Sequence, residues 1–168
     1  MRPIDYFERG VRRAPDVNFV VSDDVSFTYA QASERIDAIA CGLYANGFEQ
    51  GDSIAVYSPN HPVAVVCVFA CMRAGGAWVP VNVRASVSSN AEYMAYVDTR
   101  WLFFHSSLAE EAAEVAAALP NLRGAICIDG PANGCPTLED FSRHEESVPD
   151  WSDPYGNLDS VYSRWPTG

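Results

Sequence analysis

Lysine is absent from this sequence, because its eleven basic residues are all arginines. Lysine supplies the compact ammonium charge that many enzymes use to bind phosphate or to act as a general base. A mechanism that needs such a group is therefore not completed by these 168 residues alone.

Positive charge is scarce as well. The sequence has 22 acidic and 11 basic side chains, for a formal net charge of -11 at pH 7. A strongly negative chain repels the phosphates of nucleic acids and anionic lipid surfaces. Arg9, Arg12 and Arg13 cluster near the N-terminus, but three charges on one short helix are typical of a solvated face. We predict no nucleic-acid partner.

The sequence lacks a CxxC pair, an even cysteine framework and a secretory signal, which predicts a reducing, cytoplasmic location. Its cysteines are Cys41, Cys67, Cys71, Cys127 and Cys135. Cys67 and Cys71 would share one helical face. This spacing leaves a metal-binding or redox-active pair open, but it is more typical of buried thiols that pack as small hydrophobic side chains. His61, His105 and His144 lie in separate elements without ligand spacing, so no metal site is predicted.

Long hydrophobic runs and glycine-rich phosphate loops are also missing. The longest apolar run, "VAVVCVFACM" at residues 63–72, is about half the length of a bilayer span and predicts a buried helix. Neither GxGxxG nor GxxxxGK[ST] follows any predicted strand. Gly75 and Gly76 precede a strand, so we interpret them as a helix C-cap and a close approach to the sheet.

Apolar residues are plentiful, at 48% of the chain, with 12% aromatic residues. A chain of this size should bury roughly 70% of its unfolded surface in one core. We predict one folded unit over residues 1–143. Residues 144–168 are acidic and contain several prolines, which predicts an irregular tail.

The first half of the chain predicts a helix, a hairpin and a second helix. Ile4, Phe7 and Val11 share one face of a short helix that should end between residues 10 and 15. "NFVV" and "VSFTY" flank a polar turn at residues 22–24, which predicts a β-hairpin. Thr28 and Gln31 have capping-box spacing and open a helix that should end at residues 46–47.

Strands and helices then alternate. Predicted strands lie at residues 53–58, 77–82, 101–105 and 124–129, and Pro80 should mark the end or edge of the second. The intervening helices should be capped by Asn60 with Pro62 in the first turn, by Ser89 with Glu92, and by Ser107 with Glu110; Leu138 and Phe141 predict one later turn. Because each strand is apolar on both faces, the fold class is α/β, with a mainly parallel sheet flanked by helices and a small N-terminal hairpin.

Residue spacing alone reveals no active centre in this fold. The adjacent carboxylates at residues 23–24, 110–111 and 145–146 fall in a turn, on a helix surface and in the tail, where they are typical of solvated charges. No Ser/His/Asp order stands out. From spacing alone, the sequence predicts only an α/β domain.

Residues 27–84, with a further stretch at residues 97–112, add a resemblance to a known family. "FTYAQ", a long helix and "GFEQGDSIAV" come first, "NHPVAVVCVFACMRAGGAWVPVN" follows, and "VDTRWLFFHSSLAEEA" comes next. These three pieces, in this order, resemble the N-terminal part of the adenylate-forming enzymes, which include acyl-CoA synthetases, peptide-synthetase adenylation domains and luciferases. The resemblance implies an incomplete N-terminal subdomain of that fold.

The resemblance also implies a chemistry. Family members join a carboxylate to AMP with release of pyrophosphate and then pass the acyl group to a thiol, usually of coenzyme A. Thr167 and Gly168 look like the first residues of the loop that holds the ATP phosphates, so they are the predicted cofactor-binding residues and the chain is expected to be cut inside that loop. The loop lysine and the residues for Mg²⁺ and ribose would follow Gly168. We therefore predict no catalytic or metal-binding residue here, no bound ATP, Mg²⁺ or coenzyme A, and no adenylating activity.

Two alternatives remain open. Asn82 stands where peptide-synthetase adenylation domains commonly have aspartate, which favours an acyl-CoA synthetase over such a domain. The other alternative is a non-catalytic α/β binding module that ends naturally at Gly168. The carboxylic acid is undetermined, and a truncated sheet predicts self-association through its open edge.

Overall fold

The computed structural model describes residues 2–143, and the tail at residues 144–168 lies outside them. The chain begins with helix α1 (Pro3–Arg13) and an antiparallel hairpin of β1 (Asn18–Val21) and β2 (Ser26–Thr28). Gly10 lies inside α1 and not at its end. The predicted hairpin is confirmed.

A four-stranded parallel sheet forms the centre of the fold, in the order β4-β3-β5-β6. Its strands are β3 (Ser53–Tyr57), β4 (Ala77–Pro80), β5 (Thr99–Phe104) and β6 (Gly124–Cys127). The helices that follow α1 are α2 (Tyr29–Ala45), α3 (Pro62–Ala74), α4 (Val87–Tyr96), α5 (Ala109–Ala118) and α6 (Leu138–Phe141). This architecture confirms the predicted α/β class, and Pro80 ends an edge strand as expected.

The sheet buries side chains on both faces because successive strand residues point in opposite directions. Trp101 and Phe103 of β5 pack with α1, α2, α3 and the hairpin, whereas Leu102 and Phe104 pack with α4 and α5. Helices therefore cover each face, and the sheet is the middle of three layers. This arrangement explains why the strands are continuously apolar.

One of the predicted helix caps is confirmed. Thr28 Oγ1 accepts the Gln31 N–H at 3.2 Å, and Gln31 Oε1 accepts the Thr28 N–H at 3.0 Å. These two bonds satisfy backbone donors that the first turn of α2 leaves unpaired.

The caps of the next two helices differ from the prediction by one and three residues. Pro62 is the first residue of α3, so the capping side chain is His61 and not Asn60; His61 Nδ1 accepts the Val63 N–H at 3.3 Å. Helix α4 is capped by Ser86 and not by Ser89. The Oγ of Ser86 accepts the Ser89 N–H at 3.2 Å.

The predicted Ser107–Glu110 capping box is wrong. A short 3₁₀ turn, Ser106–Leu108, intervenes before α5, and His105 caps that turn. Helix α5 itself has Leu108 at its N-cap and no side-chain cap. The 3₁₀ turn occupies the residues directly before α5. Spacing rules for isolated helices do not anticipate such a turn.

The glycine pair after α3 behaves as predicted. Gly75 adopts the left-handed conformation, with φ of 82°, and ends the helix. A Cβ on Gly76 would lie 3.0 Å from Ile54 Cδ1 and 3.2 Å from the Asp52 carbonyl oxygen, so the backbone passes directly over the start of β3.

Candidate functional site

Polar side chains gather at the carboxyl edge of the sheet, where three strands end. His61 follows β3, His105 follows β5, and Asp129 follows β6. The rings of His61 and His105 meet edge to face, with their centroids 5.2 Å apart. His105 Nε2 lies 3.2 Å from Asp129 Oδ2. We refer to His61, His105 and Asp129 as the carboxyl-edge cluster.

Hydrogen bonds fix the orientation of this cluster. Asp129 accepts the Ser106 N–H at 2.7 Å and the Ser106 hydroxyl at 2.5 Å. The Ser107 N–H points at His105 Nδ1 at 3.2 Å, and the Ser107 hydroxyl lies 2.8 Å from the same nitrogen. Because Nδ1 accepts, the neutral His105 ring carries its proton on Nε2 and donates it to Asp129. The cluster therefore ties the loop after β5 to the end of β6.

The electrostatics of Asp129 favour its ionised form. Burial alone would raise the pKa of Asp129, but the hydrogen bonds that it accepts, chiefly from the hydroxyl and the N–H of Ser106, outweigh burial and hold the pKa below its ordinary value of 3.8. A carboxyl whose pKa is lower in the folded chain than in the unfolded chain stabilises the fold. This contribution is complete at pH values above the pKa of the unfolded chain. That contribution disappears as the pH falls through the folded pKa.

Replacement of Asp129 by asparagine should accordingly lower the free energy of unfolding at pH 7 by about 1–2 kcal/mol, because charge-assisted hydrogen bonds are lost. The difference from the native chain should begin to shrink below pH 3.8, where the carboxyl of the unfolded chain takes up a proton, and should disappear as the pH falls through the lower pKa of the folded chain. Urea unfolding at pH 7 and at pH 3 measures both values. Asp24→Asn, in the exposed hairpin turn, is the control, and an equal deficit for Asp129→Asn at both pH values would contradict the assignment.

Sequence spacing missed this cluster. His61 and His105 are far apart in the chain and carry no ligand spacing, yet adjacent parallel strands bring them into contact. The available signal was their position directly after predicted strands, because the carboxyl ends of parallel strands meet at one edge. His144 lies outside the described residues. Within residues 2–143, no group of three His, Cys, Asp or Glu side chains could hold a metal ion.

The carboxyl-edge cluster does not fit a triphosphate. Asp129 places a negative charge at its centre, and residues 2–143 contain no lysine to offset it. The backbone N–H groups of Val63 and Ser107 are already directed at histidine nitrogens. Thr167 and Gly168, the predicted cofactor-binding residues, lie outside the described residues, so their role stays a prediction.

A cavity of about 730 Å³ lies beside the cluster, and we call it the α2 groove. Its lining includes Arg35 and Ile39 of α2, Val66 of α3, Ile128 after β6 and Arg143 after α6. Both apolar and charged side chains line the groove, and the charged ones are two arginines and two carboxylates, Arg35, Arg143, Asp129 and Glu139. Asp129 lines it as well, so the groove and the cluster share an edge.

The buried thiols answer the question left open about Cys67 and Cys71. Both side chains are fully buried in the core of α3, and burial raises the pKa of each thiol. They are therefore packing residues held as neutral thiols, not a redox or metal pair.

The thiols should differ sharply in reactivity. Cys67, Cys71 and Cys127 are buried, whereas Cys41 and Cys135 are partly exposed. In a disulfide-exchange assay with Ellman's reagent at pH 8, we expect only Cys41 and Cys135 to react in the native chain and all five thiols to react in denaturant. The double variant Cys41→Ser, Cys135→Ser should not react with Ellman's reagent in its native state. Rapid native reaction of that variant would contradict the burial of the other three.

In the part of the chain that the structure describes, none of the helices combines the length and the apolar character that crossing a bilayer requires.

A family model decides the classification. The model of the AMP-binding enzyme family matches residues 7–159, which is well over half of the chain. The chain belongs to the AMP-binding enzymes. The resemblance seen in residues 27–84 is therefore confirmed.

Several AMP-binding enzymes show how far the similarity extends. Feruloyl-CoA synthase from an Amycolatopsis species is 35% identical over 109 residues, covering 65% of this chain and 22% of that protein. Triostin synthetase I from Streptomyces triostinicus is 33% identical over 164 residues, covering 91% of this chain and 30% of that protein. The crystal structure of coronafacic acid ligase from Pectobacterium brasiliense superposes with a TM-score of 0.78 at 17% identity, covering 90% of this chain and 31% of that chain.

These coverages set the scale of the comparison. The chain spans about a fifth to a third of the lengths of these AMP-binding relatives. At 17% identity, the likeness to coronafacic acid ligase establishes the shared fold.

Proposed function

We propose that this chain is the N-terminal part of an acyl-CoA synthetase and does not activate a carboxylate by itself. The complete enzyme joins a carboxylate to ATP to give an acyl adenylate and pyrophosphate, and then transfers the acyl group to the thiol of coenzyme A. The observation that carries the proposal is the match of residues 7–159 to the AMP-binding family, with feruloyl-CoA synthase among the relatives. ATP, Mg²⁺ and coenzyme A are ligands of the complete enzyme.

Residues 2–143 contribute the scaffold in this proposal. The parallel sheet and its two apolar cores hold the loops at the carboxyl edge, where Asp129 and His105 join the ends of β5 and β6. An adenylating site needs preorganised positive groups where charge develops on the transferring phosphate. The absence of lysine and the negative charge of Asp129 support the proposal that this chain lacks such a site.

The chain alone should therefore give no ATP–pyrophosphate exchange. The assay combines the 168-residue chain, MgATP, labelled pyrophosphate and a panel of aromatic, fatty and amino acids. An intact AMP-binding enzyme of known activity, assayed in the same buffer, is the positive control. Carboxylate-dependent exchange above background by this chain would refute the proposed inactivity.

A peptide-synthetase adenylation domain is the second candidate, favoured by the alignment of Triostin synthetase I with 91% of this chain. Asn82, which favoured a CoA ligase, accepts the Arg84 N–H through its side-chain oxygen at 3.0 Å. An aspartate carboxylate would accept the same bond, so the local structure permits either residue. The acyl acceptor distinguishes the candidates: the longer protein should form a thioester with free coenzyme A if it is a CoA ligase, and with a carrier-protein thiol if it is a peptide synthetase.

Two further parts of this proposal concern organisation. Residues 1–143 form the folded subdomain, and residues 144–168 lead toward the phosphate-binding loop. Strand β4 pairs only with β3 among the described residues, so its outer edge is the surface through which the isolated chain would self-associate.

A further inference from the structure

Ser107, His105 and Asp129 form a continuous line of contacts at the carboxyl edge of the sheet. The Ser107 hydroxyl lies 2.8 Å from His105 Nδ1, and His105 Nε2 lies 3.2 Å from Asp129 Oδ2. A hydroxyl beside one imidazole nitrogen, with a carboxylate at the other nitrogen, is the arrangement by which enzymes activate a serine. Such an arrangement is recognised by its contacts and not by the order of its residues in the chain.

The surroundings of His105 hold its ring in the orientation that this chemistry requires. Ser106 donates its N–H and its hydroxyl to Asp129, at 2.7 and 2.5 Å, so the carboxylate is fixed on the Nε2 side of the ring. The ring of His61 packs against His105, with the two centroids 5.2 Å apart. Because the neutral ring carries its proton on Nε2, Nδ1 keeps its lone pair on the side of Ser107. His105 can therefore accept a proton at Nδ1.

Two groups of Ser107 approach this nitrogen. The Ser107 N–H lies 3.2 Å from Nδ1 and the hydroxyl lies 2.8 Å from it, so the hydroxyl is the closer donor. Ser107 is exposed, whereas the side chains of His105 and Asp129 are only 18% and 17% exposed. The hydroxyl is therefore open to a reactant, while its two supporting groups are largely shielded from water.

We propose that Ser107 is a nucleophile that accepts acyl groups from activated esters, with His105 as its general base and Asp129 as a positioning residue. Ser107 Oγ forms a bond to the carbonyl carbon of the ester, and the hydroxyl proton passes to His105 Nδ1. The bond from that carbon to the leaving oxygen then breaks, and the leaving oxygen takes the proton from Nδ1. The products are O-acyl Ser107 and the free alcohol. This reaction is independent of the adenylation proposed for the complete enzyme.

Acetylation of the 168-residue chain by p-nitrophenyl acetate tests the assignment. Because the chain contains no lysine, side-chain amines do not consume the reagent. Peptide mapping by tandem mass spectrometry at pH 7 gives the rate at each residue. Ser88 is the matched internal control, because it is exposed in the first turn of α4 and its hydroxyl lies 3.1 Å from the Ser86 hydroxyl. We expect Ser107 to be acetylated about 100-fold faster than Ser88, which is the low end of what a positioned general base contributes.

Release of p-nitrophenol by two alanine variants tests the nucleophile separately. Ser107→Ala keeps the backbone N–H that points at His105, so the fold should be retained while the fast phase of release is lost. Ser88→Ala should retain that phase. Equal acetylation of Ser107 and Ser88, an acetyl group on Ser106 in place of Ser107, or a fast phase that persists in Ser107→Ala would overturn the proposal.

A third variant tests the role of Asp129. Asp129→Asn should slow acetylation of Ser107 about tenfold, because the ring of His105 is no longer held with its proton on Nε2. ¹⁵N NMR of the imidazole should show that proton moving toward Nδ1 in the variant. Unchanged acetylation, or slower acetylation with the proton still on Nε2, would overturn the positioning role of Asp129.

Discussion

Replacement of Asp52 by alanine is expected to lower the free energy of unfolding by about 3 kcal/mol, because it removes the anion from a largely buried polar network. Asp52 is only 8% exposed and lies immediately before β3. Its Oδ2 accepts the Trp101 indole N–H at 3.2 Å and the Glu49 N–H at 3.0 Å. Arg123 adds a charge contact, with Nη1 3.5 Å from Oδ2.

The size of this effect follows from what the substitution leaves behind. Trp101 is 2% exposed, so its N–H would remain buried without an acceptor. An unpaired buried donor costs about 1–3 kcal/mol, and loss of the charge near Arg123 adds to it. Urea unfolding at pH 7, followed by circular dichroism, measures the change.

Two control variants separate the network from general effects of charge. Asp52→Asn keeps an oxygen acceptor and should lose roughly half as much stability. Asp24→Ala, in the exposed hairpin turn, should change stability by no more than about 0.5 kcal/mol. If Asp52→Ala proved as mild as Asp24→Ala, Asp52 would not be the centre of a network.

Replacement of Gly42 by alanine is expected to cost about 2 kcal/mol, although alanine normally favours a helix interior by up to about 1 kcal/mol. Gly42 lies within α2 and is buried. A Cβ at this position would lie 2.3 Å from the Phe141 carbonyl oxygen and 3.0 Å from the Phe141 ring. Because the closest atom belongs to the backbone, a rotamer change does not relieve the overlap.

The damage from Gly42→Ala should centre on α6. The Phe141 N–H donates to the Thr137 carbonyl at 2.9 Å, so its hydrogen exchange reports whether that turn stays in place. We expect faster exchange at Phe141 in Gly42→Ala and unchanged exchange in Glu34→Ala, a control on the exposed face of α2. A Gly42→Ala chain more stable than the native one, with Phe141 still protected, would refute the close approach.

The sequence predicted the central sheet well because its strands are buried on both faces. Continuous apolar runs at residues 53–58 and 101–105 are typical of buried parallel strands when helices alternate with them. The capping box of Thr28 and Gln31 could also be predicted, since both partners of a capping box lie within one helical turn. These signals are local.

The errors arose where local patterns competed. Asn60 and His61 are adjacent and both polar, and only the start of α3 at Pro62 decides which one caps it. Ser86 and Ser89 present the same ambiguity three residues apart. At Ser107, a 3₁₀ turn replaced the first turn expected for α5.

Long-range contacts were beyond sequence reasoning. The pairing of His61 with His105 depends on which strands are neighbours, and the approach of Gly42 to Phe141 depends on where the chain returns after β6. The hydrogen bond from the Trp101 indole to Asp52 joins residues that are 49 positions apart. A single sequence carries no signal for such pairs.

One measurement tests the central claim most directly: ATP–pyrophosphate exchange by the 168-residue chain beside the polypeptide translated from the source gene read past codon 168. The account predicts carboxylate-dependent exchange by the longer polypeptide and none by the chain alone. Exchange by the chain alone, a stop codon directly after Gly168, or a longer polypeptide that never exchanges with any acid of the panel would contradict it.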